Sequence, residues 1–306
     1  MPELPEVTAY LEGLDRLLPG HTLEAVRLRS PSLLRTWDPP LAEAGGRRVQ
    51  GFRRLGKRVV WVLEDDLFLV FHLMITGRFH WKKPGAAIPR KRAHAGFDFA
   101  HGTMLLTEQS TRKRASLHLV RGEEALGRHD PGGLEVPEAG PEAFAAALTR
   151  ENRTLKRALT DPRILSGIGN AHSDEILFRA GLSPLQRTGN LDREELARLH
   201  RVARAWLEEF TGVLREEVGE GFPERITAFH PAMAAHGKYG ERQHHGGECG
   251  GKLGVRGGLG EREEYDAQDQ DVAHNSELLL VLGSEPSKES PKNLADRNGK
   301  QHIQGE

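Results

Sequence analysis

The hydrophobic period of this chain changes near residue 130, and that change limits what it can fold into. Between residues 22 and 121, apolar and β-branched residues come in short runs, at about 22–28, 47–54, 58–64, 67–74, 96–99, 103–107 and 116–121. Runs of this length, separated by turn-forming residues, predict antiparallel strands arranged as a sandwich or barrel. Ahead of them, Val7, Tyr10, Leu11, Leu14, Leu17 and Leu18 recur at helical spacing until Pro19-Gly20 stops the pattern. Behind them, the breakers from His129-Asp130-Pro131-Gly132-Gly133 to Gly140-Pro141 predict a linker. Helical patterns follow at 141–150, 155–160, 170–180 and 192–212, interrupted by Pro162 and Gly167-Ile168-Gly169. The predicted fold class is α+β and multidomain. An antiparallel β-sandwich or barrel with a leading helix occupies residues 1–130, a linker 131–141, and an α-helical domain 142–240. From Glu241 the chain turns to Gly, Glu, Gln and Asp, with one apolar run at 278–282. Such a composition buries too little surface to offset its ordering entropy, so 241–306 is expected to be a tail of low order.

Charge and cysteine content narrow the classes further. No apolar stretch approaches the ~18 residues of a membrane span, and the N-terminus lacks the basic-then-apolar pattern of a signal peptide. Cys249 is the single cysteine, so no internal disulfide can form and a cytosolic home is expected. The formal net charge of −1 does not advertise a polyanion partner, but it is unevenly spread. Residues 241–306 carry eight basic and thirteen acidic side chains, whereas residues 82–121 carry nine basic and two acidic. That basic stretch could neutralise phosphates, although basic clusters are often solvated loops.

The first six residues, Met1-Pro2-Glu3-Leu4-Pro5-Glu6, carry the sharpest chemistry. Once Met1 is removed, the ring nitrogen of Pro2 becomes a free secondary amine. An α-amine titrates near pH ~8, so a useful fraction is a nucleophile at neutral pH. It can attack an electrophilic sugar carbon and pass through an iminium. A helix starting here would put Glu3 and Glu6 near one face, beside the amine as an acid/base set. A proline-started helix with acidic residues at its positive end accounts for the same residues without any chemistry. Farther on, Gly167-Ile168-Gly169-Asn170 opens a helix. Its glycines allow close approach, its N-terminus offers free N–H groups to a phosphate, and Asn170 fits an N-cap.

Four separated segments, in order, resemble the formamidopyrimidine-DNA glycosylase and endonuclease VIII family of base-excision repair enzymes. They are Met1 to Glu6 ahead of a helix, Gly56-Lys57 beside a strand, Phe71-His72-Leu73-Met74-Ile75-Thr76-Gly77-Arg78-Phe79, and Gly167-Ile168-Gly169-Asn170 with Asp174-Glu175. The likeness covers about residues 1–240. It implies a helix–two-turn–helix module in the helical domain and damaged double-stranded DNA as partner. It also implies a monomer in a bacterial-type cytoplasm, associated with the nucleoid. Pro2 would be the nucleophile, Glu3 its acid/base partner and Lys57 a phosphate-reaching lysine, with Glu6 and Glu175 in support. Gly169 and Asn170 would hold the DNA backbone, and Met74 would fill the gap left by a flipped base. Arg112 and Arg114 would contact the orphaned base, although the aromatic wedge usual in that turn is missing. His172 stands where the family often has tyrosine.

The resemblance implies zinc as well, held by four cysteines in a C-terminal finger. With one cysteine this chain cannot build that site. His236, His244, His245 and Cys249 could supply other ligands, but their spacing fits a tetrahedral ion poorly, so no metal residues are assigned. No organic cofactor is required. The expected function is a DNA glycosylase with abasic-site lyase activity, removing oxidised bases through a proline Schiff base and cutting by β/δ-elimination. Two alternatives stand beside it. One is a non-catalytic relative that binds damaged DNA. The other is a tautomerase-like enzyme using an N-terminal proline as base, for which the two-domain layout and the Asn170 loop have no use.

Overall fold

The computed structural model describes residues 1–227 and 229–238, so the predicted tail, with His244, His245 and Cys249, lies outside the described residues. Helix α1 (Leu4–Leu17) opens the chain and buries Leu4, Val7, Tyr10 and Leu14 on one face. Among the described residues nine strands follow: β1 (Thr22–Leu23), β2 (Ala25–Leu28), β3 (Arg47–Leu55), β4 (Arg58–Leu63), β5 (Leu67–His72), β6 (Gly77–Lys82), β7 (Ala93–Phe99), β8 (Gly102–Glu108) and β9 (Ser116–Arg121). They form two sheets of order β1-β3-β4-β5-β9 and β2-β7-β8-β6. Every pairing within them is antiparallel.

The two sheets are locked together by aromatic rings. Trp61 of β4 lies 5.1 Å from Phe71 of β5, 5.2 Å from Phe97 of β7 and 6.1 Å from Phe79 of β6, centroid to centroid. These spacings suit tilted and edge-on aromatic packing. Outside this core, Val60, Phe68, Val70 and Val120 form a smaller cluster on the other face of the first sheet, covered by helix α2 (Glu123–Gly127) through Leu126.

Two differences from the sequence-based expectation have clear causes. The run expected as one strand at 22–28 is split at Glu24, where the chain leaves the first sheet and joins the second. The backbone N–H of Glu24 donates to the Asp98 carbonyl at 2.8 Å, which starts the new pairing. The segment expected as one strand at 67–74 ends at His72, and the chain turns through Met74 to start β6. Gly77 is required at that turn, because a Cβ there would overlap the Leu73 carbonyl.

The helical half contains α3 (Pro141–Thr149), α4 (Leu155–Thr160), α5 (Asn170–Ala180) and α6 (Arg193–Val218). The stretch 131–141 is pinned rather than loose: Val136 is fully buried, and Leu134 bridges to Leu165. Helix α6 continues past the expected end at 212 because Leu214 extends its buried stripe of Leu199, Ala203, Trp206, Leu207 and Phe210. Helix α1 packs against both α6 and the β3–β4 ribbon, and Arg215 of α6 pairs with Glu12 of α1 at 2.6 Å. The N-terminal helix therefore joins the two halves. Among the described residues, no helix is long and apolar enough to cross a membrane.

A reciprocal cap starts α6: Glu195 N–H donates to Asp192 Oδ1 at 2.8 Å, and Asp192 N–H donates to Glu195 Oε2 at 3.1 Å. Removing such a cap costs about 1 kcal/mol. Asp192→Ala is expected to lower unfolding free energy by about that amount, measured by urea denaturation. An unchanged midpoint would show that packing of the apolar stripe alone sets the start of this helix.

Candidate active site

The site forms where α1 meets the N-terminus of α5. Glu3 is in extended conformation just before α1, and its carboxylate is 2% exposed. It accepts backbone N–H bonds from Gly169 at 2.5 Å, Ala171 at 3.0 Å and His172 at 3.3 Å. A buried carboxylate needs such donors, and the positive end of α5 adds to them. Gly169, rather than Asn170, occupies the N-cap position, which corrects the expected capping role of Asn170. Three of the N–H groups expected to be open to a phosphate are likewise taken by Glu3. Asn170 is the first helical residue and exposed, and its side-chain amide has no partner among the described residues.

Close approach at Gly169 explains the second glycine of the motif. A Cβ there would overlap the Glu3 carboxyl and come 2.7 Å from Lys57 Nζ. Lys57 follows Gly56 in the turn between β3 and β4, where Gly56 has φ of +57°. Its ammonium thus faces Glu3 across Gly169, without a hydrogen bond or ion pair among the described residues. Burial pushes the Lys57 pKa down, while Glu3 and Glu6 work against that shift. The Met1 amine shares this environment. Burial lowers its pKa, Glu3 and Glu6 raise it, and Arg78 and Lys57 lower it. Pro2 is itself buried.

Glu6 faces a different partner. It accepts the Glu3 backbone N–H at 2.9 Å and the His172 Nε2–H at 3.1 and 3.2 Å. The two carboxylates expected on one face are therefore divided, one on the α5 N-terminus and one on a histidine. His172 Nδ1 accepts the indole N–H of Trp206 at 3.0 Å. Glu175 is fully buried and accepts backbone N–H bonds from Ala234, Ala235 and His236 at 2.7–3.0 Å. Neighbouring Asp174 bonds His236 Nδ1 at 2.8 Å and pairs with Lys156. Glu175 thus braces the chain after α6.

The remaining predicted residues lie on loops of the β half. Met74 is half-buried at the tip of the β5–β6 turn with φ of +53°, outside the apolar core. Arg112 and Arg114 are exposed in the β8–β9 loop. That loop is anchored by buried Glu108, whose carboxylate accepts the N–H groups of Arg114 and Ala115 and bonds His94 Nε2 at 2.8 Å.

Sequence reasoning missed a basic cluster beside Lys57. Arg58 and His72 are paired across β4 and β5, and His118 on β9 packs against His129 with ring centroids 4.5 Å apart. Burial, with Arg58 and other cations adding to it, pushes His72 and His118 down to about 4. These imidazoles are neutral at pH 7. The available signal was that Arg58 opens β4 directly after the Gly56-Lys57 turn and His72 ends β5, so an antiparallel hairpin sets the two opposite each other.

Residues 1–117 match the formamidopyrimidine-DNA glycosylase N-terminal domain, and residues 132–216 match the H2TH domain of formamidopyrimidine-DNA glycosylase. The formamidopyrimidine-DNA glycosylase of Desulfitobacterium hafniense is 31% identical over 250 residues, covering 79% of this chain and 86% of that protein. This chain belongs to the formamidopyrimidine-DNA glycosylase family. The Geobacillus kaustophilus relative is 34% identical over 230 residues, covering 72% and 80% of the two chains. Among solved structures, the fold resembles Lactococcus lactis Fpg in complex with an abasic-site-containing DNA, with TM-score 0.70 and 22% identity over 82% of this chain and 92% of that one. A Lactococcus lactis Fpg mutant with a Fapy-dG-containing DNA gives TM-score 0.72 and 23% identity, covering 82% and 93%.

The family's zinc site does not fit this chain. Four cysteine thiolates cannot come from Cys249 alone, and no group of three or more His, Cys, Asp or Glu among the described residues could hold a metal.

Gly169→Ala tests the close approach at the centre of the site. The added methyl must displace the Glu3 carboxylate or Lys57, and forced overpacking of this kind costs about 1–3 kcal/mol. A drop of that size in unfolding free energy is expected by denaturant titration. An unchanged stability would mean that Glu3 is not held as described.

Proposed function

We propose that this protein is a base-excision DNA glycosylase with abasic-site lyase activity, acting as a monomer on oxidised bases in double-stranded DNA. The observation that carries this reading is the convergence of the N-terminal amine, Glu3, Glu6 and Lys57 at the start of α5. Membership of the formamidopyrimidine-DNA glycosylase family supports it.

Removal of Met1 frees the nitrogen of buried Pro2, and burial favours the neutral form of an amine. That lone pair attacks C1′ of a flipped-out nucleotide, and the glycosidic bond breaks with its electrons leaving on the base. Loss of the proton from nitrogen and opening of the sugar ring give an iminium between Pro2 and C1′. Glu3 and Glu6 offset its positive charge, and Glu3 is the proton carrier nearest the amine. Removal of a C2′ proton then expels the 3′ phosphate, which is β-elimination, and a further δ-elimination can follow. Water hydrolyses the iminium and restores the amine. Lys57 and Asn170 hold backbone phosphates on either side of the lesion, and Met74 enters the gap in the stack. The basic stretch at 82–121 and the exposed Arg112 and Arg114 meet the opposite strand. No step uses a metal. Such a substrate places the protein at the bacterial nucleoid.

A second reading is favoured by the single cysteine: a relative that binds damaged DNA without cutting it. Borohydride separates the two, because it reduces an iminium to a stable covalent complex and leaves a noncovalent complex untouched. Pro2→Gly is expected to keep duplex binding within about threefold while losing nearly all cleavage, because the constrained secondary amine is gone; the primary amine of the glycine can still form some imine, so residual trapping remains. Full activity in protein that retains Met1, verified by mass spectrometry, would overturn the mechanism, because the Pro2 nitrogen is then an amide.

Lys57→Ala tests phosphate contact separately from chemistry. Affinity for an abasic-site duplex is expected to fall by about 1–3 kcal/mol. The slope of log affinity against log salt should flatten by about one phosphate contact. Fluorescence anisotropy across a salt series measures both, and an unchanged slope would remove Lys57 from the DNA interface.

A further inference from the structure

Glu6 is 1% exposed, and among the described residues it has only two donors, the Glu3 backbone N–H and the His172 ring. A carboxylate this deep tends to take up a proton unless donors or cations hold its charge. Here burial pushes the Glu6 pKa up; a charged His172 ring would outweigh it, and with a neutral ring the His172 hydrogen bond and the Glu3 backbone N–H are what oppose burial. The charge of Glu6 therefore depends on one side chain, 166 residues away in sequence.

That side chain is itself held in a single protonation form. The Trp206 indole nitrogen can only donate, and it donates to His172 Nδ1 at 3.0 Å. The ring proton must then sit on Nε2, where it faces Glu6 at 3.1 Å. The groups facing the ring are Glu3 from just before α1, Glu6 from α1 and Glu175 from its own helix, while α6 presents Trp206 and, at 5.0 Å, the edge of Phe210. The three carboxylates favour an imidazolium over the opposing effect of burial. A second proton on Nδ1 would, however, collide with the Trp206 N–H, so the ring in this geometry is neutral. Arg179 stacks on the Trp206 ring at 4.1 Å and is paired with Glu209, which fixes the indole.

We propose that His172 is a positioning residue for the glycosylase–lyase reaction, acting through Glu6: Trp206 aims its Nε2–H at Glu6, and this keeps Glu6 an anion beside the reactive amine. The proposal rests on the lyase reading of the site. An ionised Glu6 does two things there. It stabilises the iminium cation once formed, and it raises the proton affinity of the free amine, as it does that of the Met1 amine beside it. Losing the Glu6 charge should therefore lower the yield of iminium and, at the same time, move the acid limb of the pH profile to lower pH. A purely structural loss would lower the yield without moving the limb.

The test uses the full-length protein with Met1 removed, an abasic-site duplex, and initial rates of borohydride trapping as a function of pH. His172→Phe removes the donor. Its plateau is expected to fall by about tenfold, with the acid midpoint moving down by about one pH unit. His172→Gln offers an amide N–H to Glu6 and an oxygen to Trp206, so it should restore the wild-type midpoint and a plateau within about threefold. Glu6→Gln should reproduce the midpoint of His172→Phe, and the double substitution should move it no further. Thermal unfolding of each variant accompanies the rates, and the glutamine variant keeps the test valid if the phenylalanine variant unfolds. Wild-type trapping with an acid midpoint unmoved in His172→Phe overturns this proposal alone, as does a glutamine variant that behaves like the phenylalanine one. Absence of trapping in the wild type overturns the lyase reading and this proposal with it.

Discussion

The Glu3 carboxylate seated on the N-terminus of α5 is the contact on which the rest of the site depends. It joins the third residue of the chain to backbone groups at 169–172, so the β half and the helical half meet at the reactive end of the molecule. Each charge-assisted bond to a backbone N–H contributes about 1.5–3 kcal/mol, and here three of them hold one side chain. The extended backbone at Glu3, with φ of −110° and ψ of −164°, lets the side chain reach forward to α5. A helical conformation would have laid it against Glu6 instead. A fourth bond, from Leu4 N–H to the Gly167 carbonyl at 2.9 Å, keeps the two segments in register.

Opposing charges meet around the amine that this contact positions. At the Met1 amine, Glu3 and Glu6 favour the protonated form, Lys57 and Arg78 oppose it, and burial opposes it most, and the Pro2 nitrogen one residue on is buried in the same place. The balance favours a neutral nucleophile while leaving anions close enough to stabilise a cation formed on the same nitrogen. Placing both carboxylates against the amine would have favoured its protonated form at the expense of its nucleophilicity. Tying Glu3 to α5 and Glu6 to His172 spreads the negative charge over two anchored positions, each hydrogen-bonded, so neither side chain can swing onto the amine as a simple ion-pair partner.

Much of this was legible in the sequence where the signal was local. The helical stripe of α1, the hydrophobic runs of β3, β4, β8 and β9, and the glycine loop before α5 all follow from spacing and turn chemistry. What was not legible depends on tertiary context. Strand β6 was missed because Phe79 and Trp81 alternate with Arg78, His80 and Lys82 over only six residues, directly after a turn. The division of 22–28 between two sheets leaves no mark, since Glu24 continues an ordinary strand pattern. Asn170 has the chemistry of an N-cap, yet the donors it would cap are claimed by a carboxylate from the other end of the chain. His172 and Trp206 look like separate core residues until the fold brings them to Glu6, as sequence spacing carries no information about a contact between three helices.

Helix α5 is consequently the element where composition and role are most at odds. It has weak apolar patterning, and His172, Ser173 and Glu175 are fully buried within it. Each is satisfied in a different direction. His172 points to Glu6 and Trp206, the Ser173 hydroxyl donates back to the Gly169 carbonyl at 2.5 Å, and Glu175 collects three N–H groups from residues 234–236. A helix built for packing alone would carry leucines at these positions and save the cost of burying polar groups. Here the polar face serves as a junction with three segments distant in sequence: the N-terminus, α6, and the chain that follows α6. The same two turns of helix that receive Glu3 also hold residues 234–236.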